Sequence, residues 1–353
     1  MSAHTVFVSG VTGFIASHIV AQLLEAGHRV RGSVRNVRRP EGVAHLRALP
    51  GSETNLELVE ADLLAPHAFE GLLTGCDIVM HTASPYVLDV ADPQRDLVDP
   101  AVRGTRSMLE ACARTPGISR VVLTSSMAAI TGGPDTQHIL TEANWNTTST
   151  LDRNPYFLSK TMAEREAWTF MEERKPAWDL IVINPFLTIG PSLSPAINTS
   201  NKVIADLLNG VYPAILGITW GIVDVRDVAT AHIRAMDARS AQGRYLCAAD
   251  TFSARQVVAL LRSNGYGHYR LPRINLDHPV GHLLAKLAAY RQSKGVRQYL
   301  HTHLGRVPRF NNSKIQSDLS MTFRPVDRTL LETAANVVKW GHARPRLPDN
   351  TVR

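Results

Sequence analysis

The first half of the chain alternates short apolar runs with helical patterns, and this alternation strongly limits the possible folds. Buried strands are predicted at residues 5–9, 28–34, 56–60, 77–81, 121–126 and 180–183. Helical patterns fill most of the intervals, with a clear one from about Ala101 to Arg114. Strands that alternate with helices usually pair in parallel, because each crossover returns the chain to the same edge of the sheet. We therefore expect an α/β fold with a doubly wound parallel sheet.

The first predicted strand runs into a glycine turn and then into a helix. The turn reads Gly10-Val11-Thr12-Gly13, and an apolar helical pattern follows from Phe14 and Ile15 to a stop at Gly27. Glycines allow the backbone to approach a pyrophosphate closely, and the N-terminus of the helix favours its negative charge. The spacing G-x-x-G-x-x-A matches the dinucleotide fingerprint only in part. The order of strand, turn and helix nevertheless predicts a dinucleotide site on a Rossmann-type sheet.

The end of the second predicted strand indicates which dinucleotide binds. An NAD site places an acidic residue there to hold the ribose 2′-hydroxyl. This chain has Arg35 and Arg39 instead, with no acid before Glu41. Arginine forms forked, charge-assisted hydrogen bonds with phosphate, so the sequence favours NADP(H).

A tyrosine and a lysine four residues apart follow the strand that ends in Ser125 and Ser126. Tyr156 and Lys160 would share one face of a helix, where the ammonium lowers the pKa of the phenol and makes it a usable acid or base. A serine hydroxyl at the strand end could hydrogen-bond the reacting oxygen. The same spacing recurs at Tyr290 and Lys294, but without a preceding strand and serine, and this copy is interpreted as a solvated helix face.

Composition limits the remaining possibilities. The chain has 353 residues and a net charge of +7, without an apolar run long enough to span a membrane or an obvious signal peptide. Three dispersed cysteines and fourteen histidines form no metal-ligand pattern, so a cytoplasmic, metal-free protein is expected. Residues 268–309 carry eight basic side chains against the single acid Asp277. We interpret this segment as a solvated helical face rather than a nucleic-acid surface, and the alternative is a site for an anionic substrate or a partner.

The pattern becomes irregular after Pro185, which predicts the domain organisation. Residues 1–185 are expected to form the NADP-binding domain, and residues 221–248 are expected to return to it. A smaller, mainly helical substrate-binding region is expected at 186–220 and 249–342, with a loose tail at 343–353.

Several motifs together resemble the extended short-chain dehydrogenases/reductases. They include Gly13-Phe14-Ile15-Ala16-Ser17-His18, His81-Thr82-Ala83-Ser84-Pro85, Tyr156-Phe157-Leu158-Ser159-Lys160 and Val223-Asp224-Val225-Arg226-Asp227-Val228-Ala229. The likeness is to the dihydroflavonol reductase and cinnamoyl-CoA reductase branch, especially to fungal NADPH-dependent methylglyoxal and ketone reductases. It runs from Val6 to about Ala248 and again, more weakly, around Asn311 to Val326.

The resemblance implies a role for each matching position. Tyr156 would be the proton donor, Lys160 would hold the nicotinamide ribose, and Ser126 would be the catalytic hydroxyl, with Ser125 the lesser candidate. Cofactor contacts are implied at Gly10, Gly13, Phe14, Ile15, Arg35, Arg39, Asp62, Leu63, Thr82, Ala83, Thr124, Tyr156, Lys160, Pro185 and Thr188. Substrate-wall positions are implied at Tyr86, Met127, Thr131 and Leu187.

The chain also departs from the wider family. Many members carry a catalytic asparagine where Ala101 stands, and fungal relatives often have aromatic residues at Met127, Thr131 and Leu187. The expected activity is NADPH-dependent reduction of an aldehyde or ketone, with a small-molecule substrate, no nucleic acid or membrane partner, and a monomeric or homodimeric state. The alternatives are a hydroxysteroid dehydrogenase, a nucleotide-sugar epimerase or dehydratase, and a non-catalytic NADP(H) sensor.

Overall fold

The computed structural model describes residues 3–65, 67–84, 90–134 and 138–346. The strands are β1 (Thr5–Val8), β2 (Arg29–Val34), β3 (Leu56–Glu60), β4 (Ile78–His81), β5 (Arg120–Thr124), β6 (Asp179–Pro185), β7 (Leu187–Ile189), β8 (Ala214–Ile215), β9 (Thr219–Asp224), β10 (Gly243–Cys247), β11 (Asp250–Ser253) and β12 (Ile274–Asn275). The α-helices are α1 (Phe14–Glu25), α2 (Pro40–Arg47), α3 (Ser52–Asn55), α4 (Asp99–Arg114), α5 (Pro155–Arg174), α6 (Thr199–Asn209), α7 (Val225–Asp237), α8 (Ala254–Leu261), α9 (Pro279–Ala288), α10 (Lys294–His303), α11 (Ser313–Asp318) and α12 (Val326–Lys339).

The largest sheet has seven parallel strands in the order β10-β6-β5-β4-β1-β2-β3. The chain starts at β1 and winds outward to β3 on one side, then returns next to β1 with β4 and winds to the other side. The switch in direction therefore lies between β1 and β4. Ligands of open α/β sheets bind beyond the carboxyl ends of the strands at such a point. The predicted doubly wound Rossmann-type fold is confirmed.

The central strands are apolar on both faces because helices cover both sides of the sheet. In β1 and β4, the side chains of Val6, Phe7, Val79 and Met80 are completely buried. One face carries a cluster from α4, α5 and the neighbouring segments, with Phe69, Leu73, Met108, Phe170 and Trp178 among its buried members. Burial on two sides explains why these strands show continuous apolar runs rather than alternation.

The chain divides into two compact units. The first unit contains residues 1–186, 225–248 and 309–322 and includes the seven-stranded sheet. The second unit contains residues 187–224, 249–308 and 323–353. It has its own three-stranded sheet, in the order β11-β9-β7, and a core to which Ile204, Leu208, Leu261 and Leu330 contribute.

Two expected boundaries are wrong. Residues 221–224 do not join the large sheet, because β9 pairs with β7 and β11 in the second unit. Residues 309–322 belong to the first unit, where Phe310 forms a bridge to Leu140 and α11 packs against β10. Both errors have one cause, since strand partners are distant in sequence and a local pattern cannot identify them. Of the predicted tail, residues 347–353 lie outside the described residues.

Across the described ranges, no helix has the length and apolar character needed to cross a membrane. The three cysteines are buried and not bonded to one another.

Candidate active site

The glycine turn after β1 has the geometry that a dinucleotide phosphate requires. Gly10 has φ +65°, in the left-handed region that favours glycine, and Gly13 is the N-cap of α1. The backbone N–H of Gly10 donates to Ser33 Oγ at 3.0 Å, and that of Val11 donates to the Ser33 carbonyl at 3.0 Å. A Cβ at Gly32 would lie 2.6 Å from a Val11 methyl, so this strand glycine lets the turn pack onto β2. Sequence reasoning did not assign this role to Gly32.

Ser9 joins the ends of β1 and β4. It is fully buried, and its hydroxyl oxygen accepts hydrogen bonds from the backbone N–H groups of Thr82 and Ala83 at 3.0 and 2.9 Å. The same oxygen lies 2.9 Å from His81 Nδ1, and the Thr82 hydroxyl donates to the Ser9 carbonyl. Ser9 therefore fixes the two predicted cofactor positions Thr82 and Ala83, a role that sequence reasoning did not assign to it.

The helix α5 begins directly before the tyrosine. Asn154 has φ +54° and donates through Nδ2 to the Gly132 carbonyl at 3.1 Å, and Pro155 opens the helix. Proline suits this position because its missing N–H has no helical partner there. Tyr156 is half-buried in the first turn, and Lys160 Nζ lies 5.6 Å from the centroid of its ring. The predicted placement of these two residues on one helix face is confirmed.

Lys160 carries a buried cation. Its relative exposure is 9%, and its ammonium donates to Ser84 Oγ at 2.7 Å, beyond the end of β4. Burial lowers the pKa of Lys160 to about 8, because removal from water disfavours the charged form. Burial, followed by the positive charge of Lys160, lowers the pKa of the neighbouring His81 to about 3. His81 is therefore neutral at physiological pH, whereas the pKa of Lys160 lies close to it.

Ser126 caps a short turn that is bonded to α5. The backbone N–H of Ala128 donates to Ser126 Oγ at 3.2 Å within the 3-10 turn Met127–Ala129. The hydroxyl of Thr161 donates to the Ala128 carbonyl at 3.1 Å. Thr161 directly follows Lys160 in α5, so these bonds hold the serine turn against the helix that carries the tyrosine and the lysine.

Ser125 points to a different partner from Ser126. Its hydroxyl donates to Glu164, whose side chain is fully buried and pairs with Arg244 on β10. Asn184 Nδ2 donates to Glu164 at 2.7 Å and to the Ser126 carbonyl at 3.1 Å. This buried network holds the Ser126 carbonyl and engages the Ser125 hydroxyl, which leaves Ser126 as the candidate catalytic hydroxyl. Sequence reasoning missed Glu164 and Arg244, although Glu164 lies one turn after Lys160 on the same helix.

Apart from Thr188, the remaining cofactor candidates lie at the same edge of the first unit. Arg35 and Arg39 follow β2 and are exposed, as is Asp62 after β3.

Other cofactor candidates are packed against neighbouring elements. The Thr124 hydroxyl lies 2.6 Å from Nε2 of the buried His232. Leu63 packs so closely on Gly104 that a Cβ there would lie 2.8 Å from its side chain. Phe14 and Ile15 open α1, and Pro185 ends β6. Thr188 belongs to the second unit, and its contact with the cofactor stays a prediction.

The four expected substrate-wall positions have different surroundings. Met127 is half-buried and packs against the cluster of Ile130, Leu140 and Phe186. The Thr131 hydroxyl is bonded within its own loop, to Gly133. Leu187 belongs to the second unit, and Tyr86 lies outside the described residues. These four positions stay predictions.

The second tyrosine–lysine pair is not on one helix. Tyr290 lies in the 3-10 turn Ala289–Arg291, whereas Lys294 begins α10, and extended residues separate them. Tyr290 is 63% exposed. The expected solvated position is confirmed, but the expected continuous helix face is wrong because the helix is interrupted at Gln292.

The sheet edge fits a dinucleotide in shape and charge. The first turn of α1 contains no acidic residue to oppose a phosphate, and Gly10 and Gly13 keep the turn free of side chains. Lys160 supplies a buried cation, and Arg35 and Arg39 supply exposed ones. In the described part of the chain, no group of three or more histidine, cysteine or acidic side chains is placed to hold a metal ion.

Comparison with known proteins agrees with this geometry. Residues 6–248 match the model of the NAD dependent epimerase/dehydratase family. Cinnamoyl-CoA reductase CAD2 of Medicago truncatula is 41% identical over 264 residues, which are 73% of this chain and 80% of that protein. Cinnamoyl-CoA reductase 1 of Arabidopsis thaliana is 36% identical over 348 residues, which are 97% of this chain and 91% of that protein.

A solved structure extends the likeness to the whole fold. The yeast methylglyoxal/isovaleraldehyde reductase Gre2, in its complex with NADPH, superposes with a TM-score of 0.77 at 28% identity. The match covers 96% of this chain and 99% of that one. The chain therefore belongs to the NAD-dependent epimerase/dehydratase family of extended short-chain dehydrogenases/reductases, and it is an NAD(P)-dependent oxidoreductase of the cinnamoyl-CoA reductase and Gre2 type.

Proposed function

We propose that the protein reduces an aldehyde or ketone to the alcohol with NADPH, in a reversible reaction with Tyr156 as the proton donor. One observation carries this proposal: a buried lysine ammonium lies beside the tyrosine at the carboxyl edge of the sheet, next to the turn that begins at Ser126. Burial of a lysine ammonium costs free energy, and such groups cluster at functional sites. The placement of Lys160 beside Tyr156 therefore supports a catalytic role for the pair.

Each of the three side chains has a distinct task. The Tyr156 hydroxyl gives its proton to the carbonyl oxygen as negative charge develops there. The Lys160 ammonium stabilises the phenolate that remains, and its bond to Ser84 fixes its position. Ser126 Oγ accepts a bond from Ala128 N–H, which orients its own O–H to donate to the same carbonyl oxygen.

The cofactor, when bound, supplies a hydride from nicotinamide C4 to the carbonyl carbon. Gly10 and Gly13 would receive the pyrophosphate at the N-terminus of α1, and Lys160 would hold the nicotinamide ribose. Arg35 and Arg39 would bind the 2′-phosphate, which distinguishes NADPH from NADH. The complex of the yeast relative with NADPH supports this preference.

Carbonyl-dependent oxidation of the cofactor tests the proposal. A panel of 2-oxoaldehydes, diketones, flavanonols and hydroxycinnamoyl-CoA thioesters is offered with NADPH or with NADH, and loss of absorbance is followed. The plant and yeast relatives motivate the thioester and the oxoaldehyde in this panel. We expect kcat/KM to be about 10- to 100-fold higher with NADPH, as loss of a charged phosphate contact of about 1.5–3 kcal/mol implies.

Three results would contradict the proposal. Equal kcat/KM with NADPH and NADH would contradict the assignment of Arg35 and Arg39 to the 2′-phosphate. Turnover of a nucleotide sugar without net loss of NADPH, together with no turnover of the carbonyl panel, would favour an epimerase or dehydratase instead. Tight NADPH binding with no turnover of any substrate would favour a sensor.

A further inference from the structure

The helix α9 in the second unit turns its large apolar side chains outward. Val280, Leu283, Leu284 and Leu287 are 63%, 59%, 52% and 58% exposed. Their spacing of three, four and seven residues places them along one stripe of the helix. Tyr290, which is 63% exposed, follows just after the helix. The four side chains of α9 and Tyr290 are called the apolar stripe below.

The opposite face of α9 is made of small residues that pack inward. Gly281, Ala285 and Ala289 are buried at intervals of four residues. A Cβ at Gly281 would lie 2.3 Å from the Leu276 carbonyl oxygen, so the helix sits close to its own preceding segment. Ala285 joins a small cluster with Ile218 and Leu304. This arrangement reverses the usual one, in which the large apolar side chains of a surface helix face the core.

Basic side chains surround the apolar stripe. Lys286 lies on the helix, Arg291 follows Tyr290 and is exposed, and the guanidinium of Arg297 lies 5.5 Å from the centroid of the Tyr290 ring. The single acid of residues 268–309, Asp277, has an oxygen 3.3 Å from His282 Nε2. The electrostatic field around the stripe is therefore positive, and a partner that covers it must be negative.

We propose that the apolar stripe is a docking surface for an anionic phospholipid bilayer. A helix with leucine and valine on one side and lysine and arginine at its flanks lies in the plane of the membrane interface, where the aliphatic groups enter the acyl region. The basic side chains contact lipid phosphates while their alkyl parts stay near the apolar zone. With ten residues α9 is about 15 Å long, so it would lie on a bilayer rather than cross it.

The alternative occupants fit less well. A second copy of this chain would bring one basic surface against another, which costs electrostatic free energy. A protein partner would need a groove matched to several protruding side chains, whereas a fluid bilayer accommodates protruding groups of any shape. A peripheral contact of this kind requires no spanning segment, so it is compatible with the lack of one among the described helices.

Co-sedimentation with vesicles tests the proposal. The full chain is mixed with vesicles of phosphatidylcholine alone, or of phosphatidylcholine with phosphatidylserine, at low and high salt. We expect binding to the serine-containing vesicles that weakens as salt rises, and little binding to phosphatidylcholine alone. No binding to either kind of vesicle, or equal binding to both, would overturn the proposal.

Three double variants identify the surface. Leu283→Gln with Leu287→Gln should abolish sedimentation. Lys286→Gln with Arg291→Gln should weaken it about 25-fold, since each basic residue near an anionic surface contributes about fivefold. The control, Leu64→Gln with Val211→Gln, removes side chains that are equally exposed elsewhere, at 54% and 59%, and should bind normally.

Two further readouts keep the result interpretable. NADPH binding and carbonyl turnover should be unchanged in all three variants, which shows that they fold. Equal loss in the control variant would contradict the assignment to α9. Sedimentation equilibrium provides the other check: a dimer of the unmodified chain that dissociates in the leucine variant would mean that a second copy covers the stripe.

Discussion

At the scale of single residues, the chemistry depends on what surrounds Tyr156 and Lys160, because the spacing of the two residues occurs twice in the chain. The first pair has a buried ammonium and a bonded serine turn. The second pair is split between a 3-10 turn and the next helix. Environment rather than spacing therefore distinguishes the proposed catalytic tyrosine from the exposed one.

Replacement of each tyrosine by phenylalanine tests this distinction. Tyr156→Phe removes the proposed proton donor, and we expect kcat to fall about 10²–10⁴-fold while NADPH affinity is nearly unchanged. Tyr290→Phe, the matched control, should leave kcat within a few-fold. Turnover is measured by carbonyl-dependent NADPH oxidation, and cofactor binding by fluorescence. Near-normal turnover of Tyr156→Phe would show that another group donates the proton.

The pH dependence of activity should report the titration of Lys160. Its pKa is lowered to about 8, so the ammonium is present below that pH and is lost as the pH rises through it. We expect kcat/KM for NADPH, which reflects the free enzyme, to decrease above pH 8. Burial lowers the pKa of His81 to about 3 and that of His232 to about 4, so neither histidine can produce this decrease.

The variant Lys160→Arg provides the check. A guanidinium stays protonated throughout this range, so the decrease should move to higher pH even if the absolute rate is lower. Two results would contradict the assignment to Lys160. One is a kcat/KM of the unmodified protein that stays constant up to pH 10, and the other is a decrease that occurs at the same pH in Lys160→Arg.

At the scale of elements, the buried network around Glu164 links α5 to the strand ends. Glu164 on α5 pairs with Arg244 on β10, whose guanidinium also donates to the carbonyls of Glu142 and Asn144 and lies 3.8 Å from the Trp145 ring centroid. Loss of one charge would leave the other buried without its partner, which is more costly than loss of an exposed pair.

Glu164→Gln should therefore lower the free energy of unfolding by about 3–5 kcal/mol. Glu166→Gln is a matched control two residues along α5, where the partner Arg106 is 37% exposed, and it should cost about 0–1 kcal/mol. Urea unfolding measures both values. In Glu164→Gln, kcat should also fall more than NADPH affinity. The reason is that Ser125 and Asn184, whose amide holds the Ser126 carbonyl, both lose the carboxylate to which they donate. Equal destabilisation in the two variants would show that the network adds nothing beyond an ordinary ion pair.

At the scale of the whole molecule, the cofactor site belongs to the first unit, whose sheet brings the ends of β1, β2, β4 and β5 to one edge. A ligand that binds only the folded state raises the stability of that state by an amount set by its concentration relative to Kd. Cofactor binding should therefore be visible as a rise in the melting temperature even without a substrate.

NADPH at a hundred times its Kd should stabilise the folded protein by about 2.7 kcal/mol, and NADH at the same concentration by much less. The double variant Arg35→Ser with Arg39→Ser should lose this difference between the cofactors. Arg29→Ser, at the opposite end of β2, should keep it. Differential scanning fluorimetry measures all three shifts. Equal shifts for NADPH and NADH in the unmodified protein would exclude a 2′-phosphate contact.

Local patterns were enough to predict much of this protein. Strand-like patterns located most strands of the large sheet, and in its central strands burial on both faces requires apolar residues at consecutive positions. The glycine turn at Gly10 and the helical pair of Tyr156 and Lys160 were also predictable, since each depends on residues within one or two turns of chain.

Only the tertiary structure decided the features that depend on distant partners. The bonds of Ser9 to the end of β4 and of Glu164 to Arg244 join residues more than seventy positions apart. The pairing of β9 with β7 moved residues 221–224 into the second unit, and the packing of Gly281 and Ala285 turned the leucines of α9 outward. The reason is physical: periodicity shows that a side chain prefers burial or a polar partner, but only the folded chain determines whether such a neighbour is there.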